Sequence, residues 1–386
     1  MAVNSRIIKQ ITGLKPGPTV VFFGGIHGNE PSGVYALEKV LEPLTRKDIS
    51  GNIYAIAGNL QALEKKQRFL KEDLNRIWTP PRIDSITDQT ELHYEHRELH
   101  DLHELLKSIL QDHQGPFYFF DLHTTSSKTL PFITINDAII NRSFSKQFPV
   151  PIVLGIEEYL EGALLSYINQ MGYVSLGFES GQHDDIQAVR NHIAFIHLAL
   201  VFTGLRDRAD LKKFEHYFEQ LKSEGEFDTC FFEIIDLHRI TEKDQFKMYN
   251  GFDSFQNIRK GEKIAVHKEG VLKSRYNGKI FMPLYQQKGS EGFFIIRSIN
   301  RVFLKLSVWL RQIQADGLLK FLPGIVWHDK KKGILKVDLK VAKFMAKPIF
   351  HLLGYRNKHI TETNLLLYNR ERVAKTHMYK KEKWYR

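Results

Sequence analysis

Apolar residues follow two rhythms over the first two hundred positions. Thr19-Val20-Val21-Phe22-Phe23 is a continuous apolar run closed by Gly24-Gly25, the pattern of a strand buried on both faces. Asn52 to Ala57, Tyr173 to Phe178, and Phe117-Tyr118-Phe119-Phe120 running into Asp121-Leu122-His123 repeat that pattern. Between these runs lie stretches of helical character. Pro31 to Leu44 is one, and the long apolar stretch His183 to Leu205 is another. Glu91 to Leu110 is a third, with Leu99, Leu102, Leu105, Leu106 and Leu110 on one side. Strands alternating with helices predict an α/β layer fold with helices on both faces of the sheet.

The rhythm changes near Asp207. A charged helix is expected over Leu211 to Ser223, then an alternating strand over Phe231 to Ile240. From Asn250 to Ile299 short strands are punctuated by Gly261, Gly270, Gly278, Gly289 and Gly292, as in a small β domain. The expected division is a catalytic domain over 1–206, a β-rich domain over 207–299 and an extension over 300–386.

Charge sharpens this division. The net charge is +11, but Arg297 to Arg386 carries 21 Lys+Arg against 6 Asp+Glu, so the remainder is mildly acidic. Leu304, Leu306, Val308, Trp309 and Leu310 beside Lys305 and Arg311, with Lys330-Lys331-Lys332, predict a packed helical tail with a solvated basic face. The same residues leave contact with nucleic acid or an anionic membrane surface as a competing role. The first twenty residues hold no apolar core of signal-peptide length, and Ile193 to Leu205 is too short to span a bilayer. With Cys230 as its one cysteine the chain has no internal disulfide, and a cytoplasmic location is expected.

The chemistry concentrates at two strand ends. Gly24-Gly25-Ile26-His27-Gly28-Asn29-Glu30-Pro31 follows a buried strand and precedes a helix, where α/β folds place their ligands. His27 and Glu30, three residues apart, can reach one ion from one loop, and a catalytic zinc site with a His₂Glu set needs one further histidine. His123 stands at the end of another strand. Asp121, two residues earlier, would share its face and could orient a ligating imidazole. A lone His-x-x-Glu is often fortuitous, but the paired glycines, the strand context and a second histidine reinforce one another. His93, His96, His100 and His103 form a rival cluster on one helical face, but Glu95, Arg97, Glu98, Asp101 and Glu104 around them mark a solvated or partly buried surface.

Taken with Asp73-Leu74-Asn75-Arg76 and Gly177-Phe178-Glu179-Ser180-Gly181, these motifs resemble the succinylglutamate desuccinylase/aspartoacylase family, a branch of the zinc carboxypeptidases. The likeness covers roughly residues 15 to 205 well and the β-rich part to about Ile299 loosely. It implies a carboxypeptidase-like mixed sheet with helices on both faces and a smaller β domain shaping the mouth of the site. It also implies one zinc per chain on His27, Glu30 and His123. Arg68 would polarise the substrate carbonyl, Asn75 and Arg76 would grip a carboxylate, and Glu179 would act as general acid/base. Glu157-Glu158, in a polar bend, is the rival for that last role.

The sequence departs from the family pattern in its long basic extension and in one respect that bears on the substrate. The family's further arginine, which binds a second substrate carboxylate, has no counterpart here. Tyr159 to Phe178 contains no Arg or Lys, and Asn169 stands near the expected place. The expected activity is hydrolysis of an N-acyl amino acid, with a neutral or basic amino acid favoured over N-acetylaspartate. A zinc carboxypeptidase acting on peptides is the alternative within enzymes.

Overall fold

The computed structural model describes residues 5–87, 91–225, 230–338, 340, 347–360 and 364–385. Its strands in chain order are β1 (Ile7–Thr12), β2 (Lys15–Gly24), β3 (Ser50–Ala57), β4 (Phe117–Thr125), β5 (Phe132–Ile135), β6 (Ile152–Leu154), β7 (Val174–Gln182) and β8 (Phe231–Arg239). They continue with β9 (Lys247–Met248), β10 (Asn257–Ile258), β11 (Lys263–His267), β12 (Gly270–Lys273), β13 (Gly278–Phe281) and β14 (Glu291–Ser298). The last four are β15 (Ile325–Asp329), β16 (Ile334–Asp338), β17 (Tyr355–Ile360) and β18 (Asn364–Asn369). One mixed sheet of eleven strands, in the order β1-β3-β2-β4-β7-β5-β6-β8-β14-β13-β10, forms the backbone of the molecule.

Its centre is parallel. β2 pairs with β3 and β4, and β4 pairs with β7, all in parallel register. The continuous apolar runs are explained by the period-two alternation of strand side chains, which feeds a core on each face. Val20, Phe22, Tyr118, Phe120, Val174 and Leu176 point into one core. Val21, Phe23, Phe117 and Phe119 point into the other. The first core is covered by helices Ser32–Leu41 and Ile186–Phe202, and the second by Glu95–Asp112 and Leu164–Gln170. Helix starts follow local chemistry. Pro31 precedes the first helix, and the Asp185 carboxylate accepts from the Gln187 amide at 2.8 Å.

The strands after Asp207 continue the main sheet. β8 lies parallel to β6 and antiparallel to β14, which leads through β13 to β10. β9, β11 and β12 form a small separate sheet. The 300–386 region differs from the expected helical tail. Helix Arg301–Gln312 leads into a four-stranded antiparallel sheet, β15-β16-β18-β17, with its own core of Leu319, Ile325, Leu335, Val337, Phe350 and Leu367. Alternating residues such as Ile334-Leu335-Lys336-Val337-Asp338 carry that strand signal, which the density of lysines obscures.

This extension is tied to the N-terminal part by buried charge. The Asp137 carboxylate, fully buried, meets the guanidinium groups of Arg142, Arg311 and Arg356. Arg311 also pairs with Glu371 at 2.9 Å, and Arg356 with Glu158 at 3.0 Å. Further along, the Tyr379 hydroxyl donates to the Phe117 carbonyl at 2.6 Å and accepts from the Val174 amide at 3.0 Å, bridging β4 and β7.

Candidate functional site

The loop after β2 is held tightly. Gly25 adopts φ +71°, in the left-handed region that glycine enters without strain. A Cβ on Gly28 would lie 2.0 Å from the Ala62 carbonyl carbon and 2.4 Å from the Gln67 oxygen. The Gly28 amide donates to the Arg68 carbonyl at 3.1 Å, fixing the loop against the segment that follows helix Leu60–Lys65. That segment is itself gripped by buried Glu95, whose carboxylate accepts from the amides of Leu70, Lys71 and Glu72 at 2.6, 3.1 and 3.3 Å.

His27, Glu30 and His123 come together, buried, with ligating atoms within 4.8 Å of one another. Among the described residues they are the one group of three such side chains close enough to share an ion. The two Nδ1 atoms face opposite oxygens of the Glu30 carboxylate, at 2.9 Å from His27 and 3.0 Å from His123. Each Nε2 faces a different carboxylate: Asp73 lies 3.1 Å from His27, and Asp121 lies 2.8 Å from His123. The arrangement suits Nδ1 ligation, with a carboxylate set against each far nitrogen where it can orient the imidazole and raise its basicity. The Thr124 amide, at 3.0 Å from Glu30 Oε2, steadies the third ligand. Charge supports the same reading. Burial opposes ionisation of Glu30, yet the adjacent imidazoles of His27 and His123 hold its carboxyl well below the usual carboxylate range.

Glu179 stands beside this group because β7 runs parallel to β4, with Glu179 in register with His123. Burial pushes its carboxyl up to about 8, with His123 opposing and Glu30 and Asp121 adding to the shift. Glu179 Oε2 has no hydrogen-bond partner among the described residues.

Arg68 is locked between Glu30 at 3.3 Å and Asp73 at 3.1 Å. Asn75 and Arg76 line the same recess. The Asn75 side-chain oxygen accepts from the Leu164 amide at 2.9 Å, which positions helix Leu164–Gln170. Arg76 pairs with Glu291 of β14 at 3.2 Å, a partner that sequence reading did not find. No local motif flags Glu291, which arrives only through the extension of the sheet by β8 and β14. His183, with Nδ1 2.7 Å from the Thr124 hydroxyl, also lines the recess unforeseen.

The rival groups lie elsewhere. On helix Glu95–Asp112, His96 faces Glu72 at 3.3 Å and His103 faces the Tyr167 hydroxyl at 3.0 Å, while His93 is exposed. Glu158 belongs to the charge cluster around Asp137, bound to Arg356 and His351. Glu157 occupies the far end of the recess, beside Asn136, Ser166 and Ser175. One of its oxygens accepts from the Asp137 amide at 2.9 Å, the other is without a hydrogen-bond partner among the described residues, and burial raises its pKa. Asn169 does not line the recess and donates instead to the Tyr173 carbonyl at 3.5 Å. Lys288 donates to the Phe69 carbonyl and Lys279 to that of Phe255. Arg68 and Arg76 are thus the cations of the recess among the described residues. No helix among them is long and apolar enough to cross a membrane.

Comparison with known proteins agrees with this geometry. Residues 16–200 match the succinylglutamate desuccinylase/aspartoacylase catalytic domain. The "Probable aspartoacylase" of Acaryochloris marina is 29% identical over 163 residues, 40% of this chain and 52% of that protein. The succinylglutamate desuccinylase of Pseudoalteromonas atlantica is 29% identical over 126 residues, 32% of this chain and 35% of that protein. The chain therefore spans about half or less of the length of these curated relatives. A succinylglutamate desuccinylase/aspartoacylase structure from Rhodobacter sphaeroides superposes with a TM-score of 0.57 at 17% identity, covering 75% of this chain and 88% of that one, a likeness of fold. Over residues 16–200 the chain is thus similar to the succinylglutamate desuccinylase/aspartoacylase catalytic domain.

Proposed function

We propose that this protein is a zinc-dependent hydrolase that cleaves the amide of an N-acyl amino acid, with one zinc held by His27, Glu30 and His123. The observation that carries the reading is the buried convergence of those three side chains, each imidazole backed by a carboxylate, directly beside Glu179. In this reading residues 1–206 are the catalytic unit, 207–299 a β-rich wall contributing Glu291, and 300–386 an added layer.

A zinc ion in such a set lowers the pKa of water to about 7 and polarises a carbonyl. The remaining work falls to the chain. Glu179, whose ionised form a cation beside it would favour, takes a proton from the attacking water as the water oxygen bonds to the amide carbon and the carbonyl electron pair moves onto the carbonyl oxygen. Arg68 offers positive charge to that oxygen. Glu179 then gives the proton to the nitrogen as the C–N bond breaks, releasing a carboxylic acid and an amine. General acid–base help of this kind contributes about 10²–10⁴-fold. Arg76, with Asn75 beside it, offers a planar fork for the substrate's carboxylate, competing with Glu291 for it.

The far end of the recess favours an amino acid with a neutral or cationic side chain. It holds Glu157, Asn136, Ser166 and Ser175 and no third cation among the described residues. A second substrate carboxylate placed there would face the Glu157 carboxylate with no cation in the lining, Arg356 and Arg370 acting on Glu157 from outside it. The test is metal analysis of the purified protein joined to turnover of matched N-acetyl amino acids and short peptides at fixed metal loading. About one zinc per chain and turnover of N-acetyl-lysine or N-acetylglutamine are expected. Cleavage of peptides alone would assign the site to a carboxypeptidase. A tenfold preference for N-acetylaspartate would overturn the account of the far end.

A further inference from the structure

Helix Arg301–Gln312 keeps much of its apolar surface outside. Against the protein it fully buries Ser307 and Arg311, which are polar, with Leu304 and Leu310 half-buried against the cores. Ser307 donates to the Leu352 carbonyl at 2.9 Å, and Arg311 enters the Asp137 cluster. Outward it presents Val302 (68% exposed), Phe303, Leu306, Trp309 (56%) and, just beyond its end, Ile313. Val302, Leu306, Trp309 and Ile313 follow a spacing of four, three and four, so they form one stripe along the helix. The next turns continue the surface with Leu318 (67%) and Phe321 (74%). A soluble surface rarely carries a contiguous apolar patch of this kind without a partner.

The charge around the patch selects that partner. Arg301, Lys305 and Lys320 are exposed among these residues, and Lys320 lies 4.7 Å from the centre of the Phe321 ring. The sole acid between positions 301 and 326 is Asp316, which is buried and bound to Arg372. A two-fold contact with a second copy would set this basic face against itself. Nucleic acid would neutralise the charge and could stack bases on Phe303, Trp309 and Phe321, but it would leave the aliphatic Val302, Leu306, Ile313 and Leu318 in the same stripe without an apolar partner. A bilayer bearing anionic headgroups meets both properties at once: its acyl boundary receives the aliphatic and aromatic side chains, and its surface potential attracts the lysines.

We propose that the face formed by helix Arg301–Gln312 and the turns to Phe321 docks on anionic membrane surfaces. This holds whether or not the hydrolase reading does. Because Arg311 and Ser307 fix the helix from behind, the stripe is presented preformed.

The experiment uses the full chain with vesicles of phosphatidylglycerol and phosphatidylcholine, against phosphatidylcholine alone, at low and at high salt. Co-sedimentation should be at least tenfold stronger on the anionic vesicles and should weaken with salt. Tryptophan emission should shift to the blue on binding, and that shift should largely vanish in Trp309→Phe. The triple variant Phe303→Ser/Trp309→Ser/Phe321→Ser should lose tenfold or more in binding. It alters only exposed positions, so its melting temperature, measured in parallel, should match wild type. Absence of anionic-vesicle binding at low salt would overturn the proposal, as would a folded triple variant that binds like wild type. Sedimentation velocity showing a dimer that the triple variant dissolves would give the face to a second copy instead.

Discussion

Replacing Asp137 by asparagine tests how the extension is held. The change keeps size and shape, so it opens no cavity, and it removes one buried charge. Asp137 is fully buried and contacts Arg142, Arg311 and Arg356, with Arg311 Nη2 at 3.1 Å. Arg311 would keep Glu371, and Arg356 would keep Glu158. Arg142 would keep the Ser307 hydroxyl at 3.4 Å and a neutral amide oxygen, but no opposite charge among the described residues, which leaves an uncompensated guanidinium in the interior. Breaking a buried pair in this way destabilises by about 3–5 kcal/mol. At about 2–4 °C per kcal/mol, the melting temperature should fall by on the order of 10 °C. Differential scanning calorimetry at pH 7 reads this directly. The double variant Asp137→Asn/Arg142→Met should recover part of the loss, because it also removes the stranded charge. The pH dependence has a definite sign. Burial opposes ionisation of Asp137, but the three guanidinium groups hold its pKa well below 3.8 in the folded protein. Its stabilisation is therefore complete above pH 4 and is lost as pH falls below that. A drop of less than about 2 °C in Asp137→Asn, or a double variant no better than the single, would refute this account of the cluster.

Four further outcomes are expected. His27→Ala or His123→Ala should lose most of the bound zinc, whereas His96→Ala/His100→Ala should retain it; metal analysis decides between the two clusters. Asp73→Asn and Asp121→Asn should each keep the fold and weaken zinc affinity about 10–100-fold, measured by chelator competition. Glu179→Gln should keep metal and melting temperature while lowering kcat by roughly 10²-fold or more, and near wild-type turnover would remove Glu179 from the chemistry. His197 is held neutral, its pKa depressed to about 4 mainly by burial, so stability should decline as pH falls below 6.5, by up to about 1.4 kcal/mol per unit; urea titrations of wild type and His197→Gln should show the variant flatter between pH 6.5 and 5.

What could be read from the sequence was whatever sits within one short stretch of chain. Thr19-Val20-Val21-Phe22-Phe23 announces a central strand because both of its faces are buried, so the signal is continuous. His27 and Glu30 lie in one loop, and His123 and Glu179 each end an apolar run, so the strand context marked them. Glu291 and Glu95 carry no such mark. Each acts through a partner more than twenty positions away, Arg76 for one and the Leu70 to Glu72 amides for the other. The extension misled for a different reason. Helix Arg301–Gln312 buries Ser307 and Arg311 through the Asp137 cluster while Val302, Leu306 and Trp309 stay exposed, so its amphipathic pattern does not mark its buried side. The role of Asn75 was legible only as a motif, and its bond to the Leu164 amide adds a second duty to that residue.

The uninterrupted hydrogen bonding from β7 through β5, β6 and β8 to β14 has a mechanical consequence. Glu179 and Glu291 lie on opposite flanks of the recess yet belong to one slab of sheet. Such a slab bends little, so the two flanks cannot close on a ligand like a pair of jaws. Any ligand then meets a cavity already in shape, and association should be a single kinetic phase whose observed rate rises linearly with ligand concentration.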